Sequence, residues 1–248
     1  QWEKLDHGYQ NSWISFIKSF QYIDNDTQNN SFKKNAFIDP VLINYLESNK
    51  APFSVRSAVK RILKPGQPKE FLNSTERAVI AETKQALATL AEVDEFSNQP
   101  YGWFPKTPRI VTDYMEKFNW SQPWAAGGQT AALPVFFFLE ATRTMPASNV
   151  KGLQEAASAF FKSIVDDETG GYFRGPTPEH GMLINGAMKV LTALSWLEEP
   201  IHYPEKLIDT TLRYLPRADG CHLVDAVYVL HRCSSQTSQS RDKIKKYC

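Results

Sequence analysis

The feature that most constrains this chain is an alternation in its C-terminal half. Amphipathic helical segments take turns with segments that are apolar nearly all round. "NVKGLQEAASAFFKSIVDD" (149–167) carries Leu153, Ala157, Phe160 and Phe161 on one face, with Asn149 as the expected cap, whereas "GMLINGAMKVLTALSWLEE" (181–199) has almost no polar side. "PEKLIDTTLRYL" (204–215) is amphipathic again, with Pro204 at a helix start where a missing N–H does no harm. "HLVDAVYVLHRC" (222–233) returns to the apolar type. One-sided helices shielding two-sided ones predict an all-α fold of helical hairpins. We expect an incomplete or complete α/α toroid over 74–248 rather than an irregular helical bundle, which gives a similar pattern, with at least three consecutive hairpins in 129–247.

Upstream, "STERAVIAETKQALATLAEVDEF" (74–96) has helical spacing, with Ser74 or Thr75 as cap. Residues 1–73 are richer in Asn, Ser and Lys and predict an irregular helical segment, with short pieces near 11–22, 40–48 and 54–63. "KPGQPKEFLN" (64–73) reads as a linker or long loop. Strand signals are scarce. The net charge of +1 leaves no electrostatic footprint for nucleic acid, and no apolar run approaches the roughly 20 residues of a membrane span. The expected partner is therefore a small molecule or glycan. A first residue of Gln rather than Met fits a removed leader, and so an exported protein, or a trimmed start, and leaves the compartment open with a lean towards export. Cys221, Cys233 and Cys248 form no CxxC pair, which disfavours structural zinc and leaves both one disulfide and three thiols open.

Three groups of residues carry possible chemistry. His222, Asp225, Tyr228 and Arg232 share one face of an otherwise apolar helix, so Asp225 needs a partner, a ligand or water. They line either a central cavity or a buried network that fixes packing. "VDDETGGYFRGPTPEHGMLIN" (165–185) turns through Gly170 and Gly171 and brings Tyr172, Arg174, His180 and Asn185 to a helix start. There Arg174 is the nearest counter-charge for the acids before the turn. Trp103, Trp120 and Trp124 in a loop-rich aromatic region would form a stacking platform for sugar rings or ordinary core filler. Gly127 and Gly128 suggest a weak anion site at a helix start.

"CHLVDAVYVLHR" resembles the inner helix of protein prenyltransferase β-subunits and their squalene-cyclase relatives, and "DDETGGYFRG" is similar to the turn joining outer to inner helices in that superfamily. The resemblance covers about 165–235 and implies the toroid. It would place Asp225 at the family's zinc-binding aspartate, but Val227 stands where its cysteine ligand belongs, and the cyclase Asp-x-Asp-Asp motif is missing. Zinc-dependent prenyl transfer is thus not expected, and no metal or cofactor is assigned.

Toroids also host polysaccharide lyases and glycosidases, and a carbohydrate-active protein is the leading expectation. His180, Tyr172 and Asp225 would be catalytic, with Arg174, Asn185, His222, Tyr228, Trp120 and Trp124 binding substrate. In a lyase, Asn185 and Arg174 neutralise a uronate while His180 or Tyr172 moves protons. In a hydrolase, Asp225 and Asp167 form the carboxylate pair. The alternatives are an isoprenoid-binding or isoprenoid-converting toroid, with "PVFFFLEA" as lining, and a non-catalytic helical scaffold.

Overall fold

The computed structural model describes residues 2–23, 32–48, 71–214, 220–237 and 244–245. The expected helix at 54–63, most of the expected linker and Cys248 lie outside them. Regular structure among the described residues is helical, with only two isolated bridges, Gln21 to Phe37 and Val165 to Tyr172. No helix of the described residues is long and apolar enough to cross a membrane.

Gln1–Trp103 and Phe104–Cys248 form two compact units. In the first, helix α1 (His7–Ser19) is capped by Asp6, α2 is Pro40–Ser48 and α3 is Ser74–Ala91. The cap of α3 is Asn73 rather than Ser74 or Thr75. Its side chain accepts from the Glu76 N–H while Glu76 accepts from the Asn73 N–H, so two otherwise orphaned donors are satisfied at once. The compact units divide at 103/104, so α3 belongs to the first of them. Thr83, fully buried on α3, accepts from the Phe37 N–H at 3.0 Å and ties the Ala36–Ile38 segment to the helix.

The second unit holds the alternating helices. These are α4 (Pro108–Glu116), α5 (Pro123–Thr130) and α6, which runs through Ala132–Phe136, a π turn at Phe137–Ala141 and a last turn at Thr142–Thr144. Then come α7 (Ala147–Ser163), α8 (His180–Trp196), α9 (Pro204–Thr211) and α10 (His222–Ser234). Helix α7 starts two residues before Asn149, directly after Pro146, whose extended backbone cannot continue a helix backwards. Gly127 and Gly128 lie inside α5, not ahead of a helix, so the anion site expected there does not form.

Helix α8 lies between α5 and α10. A side chain on Gly186 would sit 2.6 Å from Pro123 Cβ, and one on Gly127 would sit 3.0 Å from Lys189 Cβ. Contacts therefore advance in the same direction along α5 and α8. They advance together along α8 and α10 as well, since Gly181 and Asn185 meet His222 and Lys189 acts on Asp225. The three helices thus run parallel. Helix α9 runs the other way against α10, with the Ile201 N–H before its start donating to Gln236 Oε1 beyond the end of α10 at 2.8 Å.

Leu153, Ala157, Phe160 and Phe161 on α7 are buried as their spacing requires. Each of the three large side chains contributes about 1.5–3 kcal/mol by leaving water. Helix α8 is buried on most sides, from Leu183 through Leu194. Helix α10 departs from expectation. Leu223, Val224 and Val227 are 48%, 68% and 49% exposed, because among the described residues α8 and α9 cover only its other sides.

Candidate functional site

The most polar part of the second unit lies where α8 and α10 begin. Glu179 caps α8, its carboxylate accepting from the Gly181 and Met182 N–H groups at 3.1 and 3.2 Å. Those two donors, with smaller help from His180 and His222, hold its carboxyl below the usual range. Gly181 leaves room for the neighbouring helix. A Cβ there would lie 3.1 Å from the His222 ring and 3.2 Å from Glu179 Oε2. One turn on, Asn185 donates through Nδ2 to His222 Nδ1 at 3.2 Å. An amide nitrogen can only donate, so Nδ1 is the acceptor of this bond.

Asn185 is 1% exposed, and its Oδ1 meets no hydrogen-bond donor among the described residues. On α10, Asp225 follows His222 by one turn, is also 1% exposed, and its Oδ2 likewise meets none. Burial pushes the Asp225 carboxyl up, with Lys189 and His222 pulling it partly back. Two buried acceptors without donors around one histidine are uncommon, because each costs about 1–3 kcal/mol unless something else supplies a donor. His180 stands at the same end of the unit. Its Nε2 donates to the Thr210 carbonyl in the last turn of α9 at 3.0 Å, and its ring meets Tyr214 edge-on at 5.0 Å.

The structure does not bring Tyr172 to this group. Tyr172 is 1% exposed, and its hydroxyl pairs with His202 Nδ1 at 3.1 Å, just before α9 begins, whereas His180 holds the other end of α9. The 8 residues of α9 separate the two by roughly 12 Å. Burial pushes the Tyr172 phenol above its ordinary range and, with Lys162 nearby, holds His202 below its own. Tyr172 is thus a poor proton acceptor in a packed setting. The reason is the turn itself. Asp166 accepts from the Thr169 N–H and hydroxyl at 2.9 and 2.6 Å, the Val165–Tyr172 bridge closes it, and Gly170 packs on the first turn of α9. The acids ahead of the glycines thus serve a turn, and Asp167 sits in it, at the far end from Asp225.

Arg174 does not serve those acids. Its guanidinium forms a two-pronged ion pair with Glu116 at the end of α4, one prong at 2.7 Å, and this holds the Glu116 carboxyl down. Both side chains are over 40% exposed. Arg174→Ala is therefore expected to cost less than about 1 kcal/mol in urea unfolding, and less again at high salt.

Trp120 is buried, with its Nε1 donating to the Met115 carbonyl at 2.9 Å and its ring against Phe160 and Phe161, so it is core rather than a sugar platform. Trp124 is 40% exposed. Tyr228 is half-buried, as is Arg232, whose Nε meets no acceptor among the described residues. Cys221 and Cys233 are free thiols separated by twelve helical residues, roughly 18 Å, too far to bridge. Burial pushes the Cys233 thiol up to about 12.

Sequence reasoning missed Glu179 and Lys189. The "PEHG" start offered a signal for Glu179, a carboxylate directly ahead of an apolar helix. It also missed Glu140, fully buried in the π turn, with Arg143 at 3.4 Å and with Lys106, which burial lowers to about 8. Among the described residues no three His, Cys, Asp or Glu side chains gather as a metal-ligand set. Comparison with protein-family models, curated proteins and solved structures gives no match.

Proposed function

We propose that this chain is a carbohydrate-active helical protein of the α/α-toroid type, and that it hydrolyses a glycan where α8 and α10 begin. The toroid reading is supported by α5, α8 and α10 running parallel, as inner helices of such a barrel do, with α9 antiparallel beside them. The observation that carries the functional reading is the pair of buried oxygens around His222, Asn185 Oδ1 and Asp225 Oδ2, that meet no donor among the described residues.

Hydrolysis is favoured over uronate elimination because the environment separates two carboxyls. Burial favours the protonated form of Asp225, while backbone N–H groups keep Glu179 ionised. An acid and a base pushed apart in this way are what glycoside hydrolysis requires. Asp225 delivers its proton to the leaving glycosidic oxygen, and Glu179 removes a proton from the attacking water. His222, held by Asn185, orients the sugar through its Nε2–H. The elimination chemistry relies on Tyr172 and Arg174, and both are engaged elsewhere.

The test is release of reducing ends from a panel of purified polysaccharides. Wild-type protein is expected to act on at least one, and His222→Ala to lower that rate by about 10²-fold or more. An unchanged rate in His222→Ala, or no cleavage anywhere in the panel, would contradict the assignment.

A further inference from the structure

The turn at 165–172 meets the start of α9 through two side chains thirty residues apart. Tyr172, 1% exposed, and His202 pair at 3.1 Å through the phenol hydroxyl and Nδ1, with their rings edge-on at 5.8 Å. Burial keeps the phenol protonated, so its O–H donates and Nδ1 accepts. The His202 backbone N–H acts on the same phenol oxygen as a further donor. A proton on Nδ1 would set two hydrogens face to face and turn the phenol O–H into packed surroundings without water.

Burial is also the largest influence on the ring of His202. Lys162 in the last turn of α7 adds to it by repelling a charged imidazole, and Glu199 after α8 opposes both. The balance holds His202 below its ordinary 6.5. Cys233 on α10 acts on Tyr172 from the other side, fully buried and neutral. A histidine lowered in this way lends stability above its unfolded-state value and loses it as pH falls through the folded one.

Other ties do not cross this seam. Gly170 packs on the Tyr203 carbonyl and the Leu207 nitrogen and brings no side chain. Helix α9 is joined to α10 by the Ile201 N–H to Gln236 and the Thr237 hydroxyl to Glu205, both at 2.8 Å. Its far end keeps the His180 bond, because an Nε2–H donates from a neutral or a charged ring. We infer that the Tyr172–His202 pair is an acid-opened latch, in which protonation of the imidazole releases the 165–172 turn from α9 and α10 and uncovers Cys233.

The test is labelling of Cys233 by a pyridyl disulfide that reacts at acid pH, in the whole chain carrying Cys221→Ser and Cys248→Ser. Rates are taken relative to the same chain unfolded in urea at each pH. The relative rate is expected to rise about fivefold or more between about pH 7.5 and about pH 5, with the helical circular-dichroism signal unchanged. The rise should follow the titration of the His202 imidazole resonance. His202→Asn, whose Oδ1 offers the phenol a neutral acceptor, should abolish it. A flat wild-type rate, a rise unaltered in His202→Asn, or a rise that comes with loss of helix overturns the latch. Should His202→Asn fail to fold, a labelling midpoint that departs from the His202 titration overturns it equally.

Discussion

Asp225→Asn is expected to make the protein more stable at neutral pH while weakening glycan binding by about 10–100-fold. Burial, the largest influence on this carboxyl, penalises its charged form, so its folded-state pKa lies above the ordinary 3.8. A raised carboxyl contributes stability that is fully present below the unfolded-state value and is lost as pH rises through the folded one. Wild type should therefore lose stability relative to the amide variant as pH rises from the unfolded-state value through the raised folded-state one. Above it the variant should be ahead by about 1 kcal/mol, and below it the two should converge. Urea unfolding at a series of pH values reads this directly. A residue kept for packing would behave in the opposite way. If Asp225→Asn were destabilising at pH 7, the buried polar group would be a packing network and the functional assignment would fail.

Gly170→Ala is expected to be the most damaging single methyl group among the described glycines, costing about 2–5 kcal/mol. Gly170 has φ +72°, where a side chain is strained in any surroundings. Its Cβ would also stand 2.7 Å from the Leu207 amide nitrogen and 2.8 Å from the Tyr203 carbonyl oxygen. Both obstacles are backbone at the start of α9, so no rotamer change relieves them. Relief requires α9 to move, together with the Tyr172–His202 pair beside it. Denaturant unfolding should show the loss without a change in the helical signal at low denaturant. A cost below about 1 kcal/mol would mean that α9 is not held against this turn.

The helices were legible because their signals are local. Pro204 marks a start, apolar spacing marks the buried faces of α7 and α8, and a lone amide inside "LINGA" marks Asn185. What was not legible depends on pairing across the fold. Tyr172 and Arg174 stand two residues apart after the turn, yet Tyr172 enters the core beside His202 while Arg174 leaves it for Glu116. Nothing in the local pattern distinguishes a tyrosine at a cavity rim from one sealed against a histidine thirty residues on. Glu179 was overlooked for a different reason. Caps are usually Ser, Thr, Asp or Asn, and a glutamate ahead of His180 looks like an ordinary surface acid until its oxygens are found on two N–H groups. The apolar composition of α10 suggested burial on all sides, but composition does not tell which neighbours a helix has, and Leu223, Val224 and Val227 remain exposed.

The five histidines provide the most direct test of where the ligand binds. His222 and His180 stand where α8 and α10 begin, His202 stands beside Tyr172 at the opposite end of α9, His231 lies in the last turn of α10, and His7 belongs to the first unit. Side-chain ¹⁵N resonances of these imidazoles, followed while a hexasaccharide is added, report on all of these places at once. His222 and His180 should shift together with ligand concentration while His202 and His231 hold still. Shifts confined to His202, or saturation by the sugar with His222 unmoved, would contradict it.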